Sequence, residues 1–174
     1  SEKWGVSFEN LSVDLGVAID RSRDVVNRMV KGIGSLFKKN GIVLYKGHGR
    51  IANEGMETID STGETLKSRN IIIATGAQTK DLPGLKADRK RIITSREALA
   101  SRTAPASIAI VGGGAVGVEF AYFFNSYGSD VTVIEMSPRL LPSEDEEVSQ
   151  HLERALKAQG IRVHLGCTVG KVAD

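Results

Sequence analysis

From Asp14 to about Asn40 the apolar residues Leu15, Ala18, Val25, Val26, Met29, Val30, Ile33, Leu36 and Phe37 return at helical spacing, and Gly41 closes the run. One long amphipathic helix is expected there. Gly32 and Gly34 inside it each cost about 1 kcal/mol relative to alanine, which suggests close packing against another backbone. Short β signals follow at Val43–Lys46, Gly49–Asn53, Met56–Ser61 and Thr65–Ser68. Turn residues at Asn53-Glu-Gly55 and Ser61-Thr-Gly63 divide them, so a small antiparallel meander is expected. Asn70–Ala74 is almost purely β-branched, the pattern of a strand buried on both faces. A loop through Leu82-Pro-Gly84 and the basic Lys86–Arg91 segment leads to a short helix at Ser95–Ser101, and Arg102–Pro105 reads as a linker.

Beyond the linker the period switches regularly between two and 3.6. Strand 107–111, helix 115–127, strand 130–135, helix 144–159 and strand 161–165 make a βαβαβ unit. Ser143 with Glu146 has the spacing of a capping box for the second helix. Val148, Leu152 and Leu156 mark that helix's buried stripe, and Gly160 its end. The first turn of the unit is Gly112-x-Gly114-x-x-Gly117, and an acid, Glu135, ends the second strand 23 residues beyond Gly112. Strand, glycine turn, helix, strand and acid in this order form a dinucleotide-binding unit. Gly112 permits the tight turn, Gly114 lets a pyrophosphate approach the backbone, and Gly117 lets the helix pack against the strand. The amide groups and dipole at the helix start suit phosphate. A carboxylate at Glu135 accepts from ribose hydroxyls and repels a 2′-phosphate, favouring NAD over NADP. Each feature has a plainer reading as well. A glycine turn occurs in α/β domains that bind nothing, an acid at a strand end is often only solvated, and Arg139 is either a 2′-phosphate ligand or a surface arginine.

Length and composition narrow the classes. A chain of 174 residues holds one large domain or two small ones, and 41% hydrophobic content describes a globular protein. A formal net charge of +2 gives no electrostatic reason for nucleic acid or an anionic membrane as partner. Apolar runs such as Ile71–Ala74 are far too short for a bilayer, and the N-terminal residues show no apolar signal region. With Cys167 as the only cysteine and His48, His151 and His164 scattered, neither an internal disulfide nor a metal site is expected.

Taken end to end, the chain resembles the dihydrolipoamide dehydrogenases, flavin-dependent pyridine nucleotide–disulfide oxidoreductases. The likeness rests on Trp4-Gly-Val6, Gly47-His-Gly-Arg-Ile51, and Ile71-Ile-Ile-Ala-Thr-Gly-Ala77 followed by Leu82-Pro-Gly84. It continues through Ile110-Val-Gly-Gly-Gly-Ala-Val-Gly-Val-Glu119 and Val131-Thr-Val-Ile-Glu135. The resemblance implies an α/β Rossmann-like FAD/NAD(P)-binding fold, incomplete here. Residues 1–102 would be the end of the first FAD segment with its meander, and 103–174 part of a parallel-sheet NAD domain. It implies FAD contacts at Ala74, Thr75 and Gly76, with Gly49, and more weakly His48, toward the flavin's adenine end; an ordinary hairpin turn also explains Gly49. For NAD it implies Gly112, Gly113, Gly114, Ala115, Val116, Gly117 and Val118 as the pyrophosphate turn, Glu119 beside the nicotinamide and Glu135 at the ribose. Val169 would line the adenine pocket, although core packing explains a valine there equally well.

The same resemblance implies NAD-dependent oxidation of protein-bound dihydrolipoamide by a homodimer within 2-oxo acid dehydrogenase complexes, in bacterial cytoplasm or the mitochondrial matrix. The family's chemistry also uses an N-terminal GxGxxG strand, a CxxxxC redox pair and a His–Glu base from the partner subunit. None of these occurs in the 174 residues. The chain is thus expected to be an internal fragment, inactive alone and without tight FAD binding, with Cys167 a buried structural thiol. Mercuric reductase, glutathione reductase or a soluble transhydrogenase shares the scaffold, and a non-catalytic NAD-sensing module needs only the second half.

Overall fold

In the computed structural model, residues 9–10, 12–53, 56–59, 63–170 and 172 are described. Compactness divides them into two units. One runs over Ser22–Gln78; the other is drawn from the residues up to Arg21 and from Thr79 onward. The boundary expected at 102/103 assigns segments by cofactor instead.

The long helix forms as expected, as α1 over Leu15–Lys39. Gly41, at φ 64°, ends it by a Schellman turn: Ile42 N–H donates to Phe37 C=O and Gly41 N–H to Lys38 C=O. Only Leu15, Gly16 and Ile19 are buried. The apolar stripe from Val25 to Leu36 stays exposed, with Met29 at 64%. Beyond the adjoining residues and backbone of α1 itself, no atom among the described residues comes within 4 Å of a Cβ placed on Gly32 or Gly34, so close packing against another backbone does not explain them.

Strands β1 (Gly49–Asn53), β2 (Met56–Ile59) and β3 (Glu64–Lys67) form the antiparallel meander in the order β1-β2-β3. Residues 54–55 and 60–62, which carry most of the two turn signals, lie outside the described residues, as does Trp4-Gly-Val6. Two expected strands are not found. Val43–Lys46 has no strand pairing, and Asn70–Ala74 runs without a ladder, with Ile72 90% and Ile73 72% exposed. A β-branched run becomes a strand only where neighbours accept its backbone bonds and cover its side chains. Among the described residues none does so for 70–74.

Helix α2 is short, Ser95–Ala98. It carries the capping box: Arg96 N–H donates to Thr94 Oγ1, and Glu97 Oε2 accepts from the N–H of Thr94. The βαβαβ unit follows as β4 (Ser107–Val111), α3 (Ala115–Ser126), β5 (Asp130–Ile134), α4 (Glu146–Ala158) and β6 (Arg162–His164). The three strands are parallel in the order β4-β5-β6, with Val111 opposite Ile134 and Ile134 opposite His164. This is half of a doubly wound sheet. Its core gathers Val118, Ala121 and Phe124 from α3, Val131 and Val133 from β5, Leu156 from α4, and Leu140 and Ile161.

Two local expectations for α4 change. The N-cap is Asp145 with no side-chain cap bond, so Ser143 and Glu146 form no capping box. Chain geometry starts the helix two residues later than that motif requires. Val148 is 50% exposed; the buried stripe runs through Ser149, at 1%, to Leu156. Gly160 ends the helix as expected, with Ile161 N–H bonded to Leu156 C=O, which brings two core side chains together.

Candidate functional site

The glycine turn sits at the C-terminal end of β4, where α/β sheets bind ligands. Gly112 has φ 112°, a conformation L side chains rarely adopt, and its N–H extends the ladder to Ile134 C=O. A Cβ on Gly117 would lie 1.9 Å from the carbonyl oxygen of Gly112, so α3 meets the strand this closely only with glycine there. At Gly114 the space is open, with nothing within 4 Å of a Cβ. The first helical bond, from Val118 N–H to Gly114 C=O, leaves the amides of Ala115, Val116 and Gly117 without partners in the helix. With the Gly114 N–H they are donors at the positive end of the α3 dipole. This donor set and the open space at Gly114 fit a pyrophosphate.

Besides Gly112, whose N–H is on the ladder, two more members of the predicted set are engaged elsewhere. Gly113 N–H donates to Glu135 Oε2 at 2.6 Å. The Val118 amide is used in the helix, and its side chain belongs to the core. Val116 and Glu119 stand exposed on α3.

Glu135 is 7% exposed and lies directly against the turn. Its second oxygen, Oε1, accepts from Ser137 N–H at 2.7 Å. Burial pushes this carboxyl up, but the amides of Gly113 and Ser137, the Ser137 hydroxyl and the Met136 amide push it down further. It is therefore held below the ordinary glutamate range and is ionised near neutrality. Each oxygen retains acceptor capacity beyond its one amide bond. Arg139 donates to Pro142 C=O at 2.9 Å, so the guanidinium is engaged with its own loop.

Val169 is half-buried in the segment after β6, two residues past Cys167, whose N–H donates to Glu135 C=O at 3.0 Å. Cys167 itself is exposed, contrary to the expectation of a buried thiol; β6 ends at His164 and leaves its side chain outside the core. In the other unit Gly49 opens β1, and Ala74, Thr75 and Gly76 lie in an exposed segment without regular structure. Gly76 has φ 77°. No hydrogen bond joins Gly49 to that segment among the described residues.

Three residues around the turn escaped the motif reading. Leu140 is fully buried, and its Cδ2 would be 2.6 Å from a Cβ on Gly113. Leu141, at φ 46°, donates its N–H to Gly113 C=O at 2.9 Å. Ser149 Oγ lies between two carbonyls, at 3.2 Å from Asp145 and 3.4 Å from Leu141. Their one signal in sequence is the Leu-Leu pair inside an otherwise polar, proline-bounded loop. Among the described residues no helix is long and apolar enough to cross a membrane, and no group of acids, histidines and cysteine is placed to hold a metal ion.

The family model described as pyridine nucleotide-disulphide oxidoreductase matches residues 4–174. The chain is similar to the dihydrolipoyl dehydrogenase of Chlorobaculum tepidum, 43% identical over 175 residues that cover 99% of this chain and 37% of that one. It is similar also to that of Mycobacterium leprae, at 39% identity over all of this chain and 38% of the relative. Among solved structures, a HOCl-induced flavoprotein disulfide reductase from Escherichia coli superposes with a TM-score of 0.79 at 29% identity, over 91% of this chain and 37% of that one. The chain thus spans little more than a third of the length of these relatives. With nearly every residue inside the family match, the chain belongs to the pyridine nucleotide-disulphide oxidoreductase family.

Proposed function

We propose that this chain supplies the first half of the NAD-binding domain and one wall of the FAD site of a dihydrolipoyl dehydrogenase. The observation that carries this is Glu135 bonded to the Gly113 amide inside a βαβ unit, in a chain about 40% identical to proteins of that name. Residues 103–174 are read as the NAD portion and 1–102 as the FAD portion. The Gly114 to Gly117 amides hold the pyrophosphate, and Gly112, Gly113 and Val118 shape the turn. Glu135 accepts from the adenosine ribose, Val169 lines the adenine side, and Glu119 lies toward the nicotinamide. Gly49, Ala74, Thr75 and Gly76 meet FAD through their backbone.

The activity is oxidation of protein-bound dihydrolipoamide by NAD through a redox disulfide and FAD, in a cytoplasmic or mitochondrial-matrix homodimer serving 2-oxo acid complexes. Bound flavin and nicotinamide supply the hydride chemistry. The residues of this chain orient the dinucleotide, and the ionised Glu135 selects an unphosphorylated ribose. The 174 residues hold one cysteine and no CxxxxC pair, so the chain alone forms no NADH from dihydrolipoamide. The test is a titration of the full-length polypeptide with NADH and NADPH, beside a dihydrolipoamide-dependent NADH assay. Saturable NADH binding with much weaker NADPH binding, and turnover only in the full-length protein, is the expected result. Preference for NADPH or for another disulfide would favour a different flavoprotein disulfide reductase of the family.

A further inference from the structure

We propose that the loop between β5 and α4 is a positioning strap that aims the Gly114 amide, with Leu140 and Leu141 as its two working residues. The inference rests on the dinucleotide reading of the turn and extends it to residues that touch no ligand.

A peptide unit is planar and trans, so its C=O and N–H point in opposite directions. Fixing the Gly113 carbonyl therefore fixes the direction of the Gly114 N–H. Leu141 fixes it, donating to that carbonyl at 2.9 Å. The preceding peptide is held in the same way, because Gly113 N–H is bonded to Glu135. Both peptide planes of the middle glycine are thus tied, and the Gly114 N–H points away from the Leu141 amide.

Leu141 adopts φ 46°, in the left-handed region that leucine rarely enters. Such a conformation persists only where the surroundings over-determine it. Here they do: the Leu141 carbonyl accepts from Glu144 N–H at 2.9 Å, with the Ser149 hydroxyl at 3.4 Å, and the neighbouring Leu140 is completely enclosed. Leu140 occupies the space a Cβ on Gly113 would need: that Cβ would meet its Cδ2 at 2.6 Å and the Glu135 Cβ at 3.1 Å. The variable position of the glycine fingerprint thus takes glycine here because of the strap.

The test uses the full-length polypeptide, read by NADH fluorescence titration, by KM against kcat, and by thermal melting. Leu140→Ala is expected to raise the NADH dissociation constant and the KM for NAD about ten-fold while kcat stays within about two-fold. Leu156→Ala, in the same core but away from the strap, is the control: it lowers the melting temperature without moving the dissociation constant. Leu140→Val gives a smaller shift in the same direction if the alanine variant folds poorly. Gly113→Ala weakens binding, and adding Leu140→Ala recovers part of the loss by vacating the space the new methyl needs. Equal dissociation constants for wild type, Leu140→Ala and Leu140→Val would overturn the strap and leave the dinucleotide reading standing. Absence of NADH binding in the wild type would overturn both.

Discussion

Two runs in this chain are close in composition and both end at a glycine with positive φ: Ser107–Val111 before Gly112, and Asn70–Ala74 before Gly76. The first is β4, paired residue by residue with β5 and backed by α3. The second has no ladder, and Ile72 and Ile73 are exposed. Intrinsic β preference is the same in both, so it decides neither. What differs is whether the chain brings a second strand in parallel register and a helix across the face. In 107–134 both arrive within thirty residues, through a single βαβ connection. Around 70–74 they do not arrive from any described residue. A strand is a property of its neighbours more than of itself.

The sharpest way to break this contrast is to truncate one side chain in each region. Phe124, 1% exposed in the sheet-backing helix, is expected to cost about 3–5 kcal/mol on change to alanine. In the 174-residue chain Ile72→Ala changes stability by no more than about 0.5 kcal/mol, since the side chain is already in water. Chemical denaturation of both variants decides it; a large loss at Ile72 would mean that the run is packed after all.

The next effect concerns Glu135. Glutamine keeps one acceptor but turns a donor toward the other amide, leaving a buried N–H unmet, so Glu135→Gln is expected to cost about 2 kcal/mol. The wild type should also lose stability at low pH. Its folded-state carboxyl lies below the unfolded value, so its contribution is complete above roughly pH 4.3 and fades as pH falls through the lower folded value. Stability of the glutamine variant should be flatter over that window. Parallel pH melts of the two proteins check it, and identical slopes would remove Glu135 from the turn.

The smallest effect sharpens the same contrast at the surface. Arg162 straps β6 to β5 through both oxygens of Asp130, yet both side chains are more than half exposed. Asp130→Asn should lower stability by less than about 1 kcal/mol, and by less still in high salt. A larger loss would show that register in the small sheet depends on this pair rather than on the apolar positions.

What was readable in the sequence follows the same division. The βαβαβ unit emerged within two residues at every boundary because its local signals and its tertiary partners agree. The glycine turn and Glu135 were legible as a pair because the motif encodes a contact 22 residues apart. The strap was not. Leu140 and Leu141 carry no periodic signal, and the left-handed conformation of Leu141 comes from enclosure rather than from residue type. The capping box was misplaced for a related reason: Ser143 and Glu146 have the spacing, as Thr94 and Glu97 do, but only the latter pair lies where a helix begins. The exposed stripe of α1 was read correctly as helical, while its burial was not a local property.

The two amide bonds on Glu135 have a consequence for how a sugar would be met there. A free glutamate side chain surrenders roughly 1.5–2 kcal/mol of rotamer entropy when it is immobilised. Here folding has already immobilised it, one oxygen on each of two backbone groups. An incoming pair of hydroxyls would find acceptors that need no reorientation, and a bulkier anion would find a negative charge that cannot swing aside.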